Sequence, residues 1–284
     1  MSITRRSFVA LAAAAAHASA AKVGPAKGTL IVIGGGVLDA SILRRFIDSA
    51  GGAGAPVVFV PTAGDKASYG PQDPSADFLR KAGCANLEIL HTTNRAEADS
   101  EVFAARLRRA RGVFFGGGRQ WRLVDSYLGT RSQREFEAVL RRGGVIAGTS
   151  AGATIQGSYL VRGAREGNAL MMAPGYEKGF GYLRRVAIDQ HLTQRHRQKD
   201  LLAVIARHPE LLGIGLDENT AIVVQADRFE VVGLGRVAIY NHATLPHYFL
   251  NRGDHFDLAR RTAAISAGVL SAFFAPLEYQ DKPG

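Results

Sequence analysis

Gly144-Val145-Ile146-Ala147-Gly148-Thr149-Ser150-Ala151-Gly152-Ala153-Thr154 is the stretch whose reading decides the fold. Four residues of strand character run into a serine flanked by glycines, and small residues of helical character follow. That order predicts a nucleophile elbow, a turn so tight that only small neighbours let strand and helix approach. The serine oxygen would stand exposed, with the N–H of Ala151 placed to hold an oxyanion. A Gly-x-Ser-x-Gly arises easily by chance in a chain with 33 glycines, so the surroundings must carry the rest.

Upstream, continuous apolar runs alternate with segments of helical spacing. Strands are expected at 29–33, 56–60, 87–91 and 112–115, and helices at 41–50, 75–82, 96–110 and 133–142. Strands apolar on both faces and separated by helices mean a mostly parallel sheet covered on each side, a three-layer α/β sandwich. After the elbow come a helix at 201–208 and short strands at 213–216, 221–224, 229–232 and 237–240. The last of these read as a short antiparallel C-terminal region.

The chain has 284 residues and is 46% hydrophobic, enough for one large domain over 21–284. Residues 1–20 combine Arg5-Arg6, a short alanine-rich apolar run and Ala18-Ser19-Ala20, the pattern of a twin-arginine export signal. Periplasmic or extracellular location is therefore expected, with no membrane span once the signal is gone. The formal net charge is +10, and losing Arg5 and Arg6 leaves the chain basic. Its arginines fall on helix faces and ends without interleaved aromatics, which argues against a nucleic-acid partner and for solvated surface charge. Cys84 is the single cysteine and should be a buried small residue.

Two glycine runs end strands. Gly34-Gly35-Gly36 lacks the third glycine of a dinucleotide fingerprint, because Asp39 stands there; it reads as a tight loop near the site rim. Gly116-Gly117-Gly118 leaves backbone N–H groups unobstructed, and Gly118 is the best candidate for a second oxyanion donor. His191, at the end of Val186-Ala187-Ile188 and among polar groups, is the candidate base. Asp217 and Glu218 lie between two apolar strands, and either could orient that base; Asp217 could equally cap a turn. No His-x-x-x-His or clustered carboxylate pattern surrounds His191, so neither a metal nor another cofactor is expected.

Four motifs together resemble one family: Phe-Phe-Gly-Gly-Gly-Arg-Gln at 114–120, Gly-Thr-Ser-Ala-Gly-Ala at 148–153, Asp-Gln-His-Leu-Thr-Gln-Arg-His-Arg at 189–197, and Gly-Ile-Gly-Leu-Asp-Glu-Asn-Thr-Ala at 213–221. It is the serine peptidase family that holds the cyanophycinases and the α-aspartyl dipeptidases. The resemblance implies a fold like the class I glutamine amidotransferases, with Ser150 as nucleophile, His191 as base and Glu218 as the orienting acid. It further implies Gln120, Asp189, Gln190, Arg195 and Arg197 as substrate-binding residues. The implied partner is an aspartyl-containing peptide, β-linked aspartate bearing arginine, with an α-aspartyl dipeptide or non-catalytic peptide binding as alternatives. Members of the family are often homodimers. Arg119 and Asp200 depart from the family pattern, which has an acid or Asn and a further arginine there. An acid at 200 is expected to reverse the local charge and weaken binding of an acidic group.

Overall fold

The computed structural model describes residues 22–244 and 246–265; the export-signal reading of residues 1–20 lies outside them. The chain runs β1 (Thr29–Ile33), α1 (Ala40–Ala50), β2 (Val57–Val60), α2 (Asp77–Lys81), β3 (Leu87–Ile89), α3 (Arg95–Ala98), α4 (Glu101–Ala105) and β4 (Gly112–Phe115). It continues with α5 (Gln120–Tyr127), α6 (Arg131–Arg141), β5 (Val145–Thr149), α7 (Ala151–Thr154), β6 (Gly157–Tyr159), β7 (Leu183–Gln190) and α8 (Asp200–Arg207). The remainder is β8 (Leu212–Leu216), β9 (Thr220–Gln225), β10 (Arg228–Gly233), β11 (Val237–Asn241), β12 (Tyr248–Leu250), β13 (His255–Asp257) and β14 (Thr262–Ala264).

The described strands form two sheets. The larger has the order β14-β13-β10-β9-β1-β5-β4-β2-β3, and its half from β1 to β3 is parallel throughout. β9, β10, β13 and β14 extend it antiparallel from the β1 edge. The second sheet has the order β12-β11-β8-β7-β6, parallel among β6, β7 and β8. The antiparallel tail anticipated from the sequence is thus divided: β9 and β10 join the first sheet, whereas β8 and β11 pair in the second.

The period-2 alternation of strands explains the layers. Ile31 and Ile33 of β1, Phe59 of β2 and Phe114 of β4 point to one face, where Phe46 of α1 and Leu79 of α2 cover them. Leu30, Val32, Phe115 and Ile146 point to the other, against Phe136 and Val139 of α6 and against Ile188 and Ile214 of the second sheet. The far face of that second sheet, with Ala187 and Tyr240, is covered by Leu201, Val204 and Ile205 of α8. Each of these wholly buried large side chains stabilises by roughly 1.5–3 kcal/mol relative to exposure, which is why the strands read as unbroken apolar runs.

Strands β6, β12, β13 and β14 have no counterpart in the sequence reading, and two helical regions also differ from expectation. The single helix expected over 96–110 is α3 and α4, because Ser100 takes an extended conformation and accepts the N–H of Phe103, starting a new helix. α5 was not anticipated, although Leu123 and Tyr127 sit at i, i+4 and are both buried against the core. Cys84 is buried, as expected of a small apolar residue.

Candidate active site

Ser150 ends the turn between β5 and α7 with φ 55° and ψ −113°, a region that costs an L-residue about 1–3 kcal/mol. Its N–H is fixed on the carbonyl of Ile33, 3.0 Å away, at the end of β1. Small neighbours are required on both sides. A Cβ on Gly148 would stand 2.0 Å from the Gly152 oxygen, and one on Gly152 would stand 2.3 Å from the Phe115 oxygen. The turn is therefore an elbow of the kind the pentapeptide suggests.

β4 lies beside β5, so the glycine run after β4 arrives next to the serine. Gly117 is the residue in contact: its hypothetical Cβ would lie 3.4 Å from Ser150 Cβ. Gly118, with φ 138°, packs on the Ala63 carbonyl at a distance no side chain would permit. Among the described residues no protein acceptor takes the N–H of Gly117, Gly118 or Ala151. Those donors are available to an oxyanion. The reading from sequence picked Gly118 and overlooked Gly117, whose contact depends on how β4 and β5 are registered.

His191 follows β7, and Asp217 and Glu218 follow β8, the neighbouring parallel strand. The site thus sits where the carboxyl ends of β1, β5 and β4 meet those of β7 and β8, the usual place for a ligand in such sheets. His191 Nε2 is 2.9 Å from Ser150 Oγ, and its Nδ1 is 2.5 Å from Glu218 Oε1. A proton on Nδ1 bonded to the carboxylate leaves Nε2 as acceptor for the serine hydroxyl. Burial pushes the His191 pKa below its ordinary value; the Glu218 hydrogen bond opposes this, and Arg195 adds to the lowering.

The two acids separate cleanly. Asp217 Oδ1 accepts the N–H of Thr193 and its Oδ2 that of Arg236, both at 3.0 Å, so this carboxylate ties loops together. Glu218 faces the imidazole instead, and Gln194 Oε1 accepts its backbone N–H at 2.9 Å. Gly34-Gly35-Gly36 is the floor beneath both partners. Gly34 O accepts the His191 N–H at 3.0 Å, and Gly35 O accepts that of Asn219 at 2.8 Å. Asp39, where the fingerprint glycine would stand, caps α1 by accepting the Ser41 N–H.

Of the five other predicted residues, four are buried. Gln120 donates to Val161 O at 3.1 Å, and Gln190 Oε1 accepts from Arg197 Nη1 at 3.1 Å; all three side chains are buried. Asp189 requires a correction. It is 0% exposed, and both its oxygens are bound at 2.9 Å by Nε and Nη2 of Arg162, so it has no surface to offer a substrate. Arg162 was not foreseen, since no motif contains it. Arg195 alone of the five is exposed, and it makes no ion pair among the described residues.

The departures also read differently in three dimensions. Asp200 does not reverse the charge of the cleft, because it is ion-paired to the Arg162 guanidinium. Arg119 turns away to the carbonyls of Ala164 and Arg165, 3.2 and 3.4 Å from its Nη2.

Residues 30–232 match the model of peptidase family S51. The cyanophycinase of Geminocystis herdmanii is 31% identical over 269 residues, covering 86% of this chain and 98% of that one. The cyanophycinase of a Nostoc species is 32% identical over 268 residues, covering 83% and 87%. The crystal structure of a peptidase from an acI-B1 actinobacterium superposes with a TM-score of 0.62 at 24% identity, covering 84% of this chain and 98% of that one, and supports the α/β architecture. With the family model spanning most of the chain and the relatives aligned almost end to end, the protein belongs to peptidase family S51 and is a serine-type peptidase.

Proposed function

We propose that this protein is an exported hydrolase of the cyanophycinase type, cleaving β-aspartyl peptide bonds through an acyl-enzyme on Ser150. The observation that carries the reading is the continuous line Ser150 Oγ–His191 Nε2–Glu218 Oε1, at 2.9 and 2.5 Å, beside unbonded N–H groups of Gly118 and Ala151. His191 takes the hydroxyl proton as Ser150 Oγ attacks the carbonyl carbon, and the N–H groups hold the oxyanion. The C–N bond then breaks as the imidazolium returns its proton to the leaving amine. Water, deprotonated by His191, attacks the ester carbonyl carbon; the bond to Ser150 Oγ then breaks, the imidazolium returns the proton to Oγ, and the acid leaves. Glu218 holds the imidazole tautomer and stabilises its protonated form.

Arg195, exposed and without an ion-pair partner among the described residues, is suited to a substrate carboxylate. The β-aspartyl preference draws its support from relatives that are cyanophycinases. Export draws on Arg5-Arg6 and Ala18-Ser19-Ala20.

Labelling with a fluorophosphonate, with and without Ser150→Ala, tests the nucleophile. Absence of labelling in the wild type would leave a peptide-binding role. Assay of α- and β-aspartyl dipeptides beside cyanophycin tests the substrate class; turnover confined to α-linked peptides would replace the β-aspartyl assignment. N-terminal sequencing of the enzyme recovered from the periplasm tests export.

A further inference from the structure

Arg162 is the most heavily committed side chain near the site, and the mechanism above makes no use of it. It is 3% exposed and adopts φ 57°, a conformation that an arginine does not favour. Its backbone N–H is held by Met171 O, and its Nη1 donates to Asn168 O at 2.6 Å. Nε and Nη2 grip the two oxygens of Asp189, and Nη2 also meets Asp200. Burial alone would lower the guanidinium pKa, yet Asp189 and Asp200 more than offset that and raise it. The charge is therefore kept where it would otherwise be costly.

Asp189 lies two residues before His191 on β7, and Oδ1 of Asp189 also accepts the Gln190 N–H at 3.0 Å. His191 itself has φ 55°, so the strand end that delivers it is bent into a strained turn. On the opposite side, Arg119, next to Gly118, binds the carbonyls of Ala164 and Arg165 in the segment that Arg162 begins. The 162–168 segment consequently joins the nucleophile side of the cleft to the base side.

We propose that Arg162 is a positioning residue of the active site: by gripping Asp189, with Asp200 as counter-charge, it fixes the strand end that carries His191. The inference rests on the serine-peptidase reading of the site but not on the identity of the peptide. Arg162 and Asp189 face each other through two bonds of 2.9 Å, so their removal can be tested singly and together.

The test is the second-order rate of Ser150 labelling by a fluorophosphonate, which needs the activated serine and no peptide recognition. Arg162→Gln should label at least about tenfold more slowly at a temperature where thermal melting shows it folded. Asp189→Asn alone should be similarly impaired, because the guanidinium then loses the carboxylate it grips. The double variant Arg162→Gln/Asp189→Asn should label no more than about threefold more slowly than the slower single variant, a non-additivity expected of a contacting pair. A folded Arg162→Gln protein that labels at the wild-type rate overturns the proposal. So does a folded Asp189→Asn protein that labels at the wild-type rate, which decides the matter if Arg162→Gln does not fold. Dipeptide turnover by the wild type separates the two readings: the labelling losses expected above, with no aspartyl-peptide cleavage by the wild type, remove the substrate class and leave the role of Arg162 standing.

Discussion

Gly35 lies directly against the imidazole of His191: a Cβ on that glycine would stand 2.3 Å from His191 Cε1 and 2.8 Å from each ring nitrogen. Gly35 also has φ +107°, so both space and backbone demand glycine there. Gly35→Ala should push the ring off the serine–glutamate line and lower kcat by about a hundredfold, since misplacement of about 1 Å costs that much. KM should change far less, and steady-state kinetics on an aspartyl dipeptide separate the two effects. A wild-type kcat in Gly35→Ala would show that the ring has another place to go.

On the proposed mechanism, function and not stability requires the strained conformation of Ser150. Ser150→Gly should be inactive yet more stable by about 1–3 kcal/mol, as the φ 55°, ψ −113° backbone loses its penalty. Ser150→Ala should be equally inactive without that gain. Denaturant unfolding of the two variants beside wild type provides the comparison, and a Gly variant no more stable than the Ala variant would refute the strain argument.

The two neighbouring acids should divide stability from rate. Asp217→Ala leaves the part-buried N–H groups of Thr193 and Arg236 without their acceptor and should cost about 1–3 kcal/mol. Glu218→Gln keeps the shape but removes the charge that supports imidazolium, and should lower kcat by roughly 10²–10⁴-fold with little change in melting temperature. Melting curves and turnover on the same preparations read both quantities.

With His191 as the proposed base, activity should fall as pH drops through its pKa, because only the neutral ring accepts the serine proton. Burial and Arg195 hold that pKa below 6.5, so the acid limb of kcat/KM should lie below pH 6.5. Arg195→Gln removes a cation that disfavours imidazolium, and the limb should move to higher pH. A limb that stays in place or moves down would contradict the assigned coupling. Because Arg195 is also the candidate carboxylate anchor, KM for an acidic peptide should rise in the same variant.

Most of the fold was legible because its strands are buried on both faces. Runs such as Leu30-Ile31-Val32-Ile33 admit no other reading once helical spacing brackets them. The break at Ser100 was hidden because Ser100 is compatible with a helix interior by pattern alone, and only the capping bond to Phe103 shows the restart. Similarly, 213–216 and 221–224 look alike in sequence yet join different sheets, since pairing partners are chosen by long-range contact.

What the sequence by itself determined were the chemical types and their local geometry: a serine on a glycine-flanked elbow, glycine runs after β1 and β4, and a histidine and a glutamate at strand ends. These depend on short-range sterics, which a few adjacent residues specify. Tertiary structure alone decided which groups meet. It set Glu218 against His191 while committing Asp217 to backbone, and brought Gly117 to Ser150. It also turned Asp189 from a substrate-facing acid into the buried partner of Arg162, 27 residues away. Side chains so far apart in sequence pair only because the packed sheets bring them within hydrogen-bond reach, and burial then makes an unpaired charge too costly to keep.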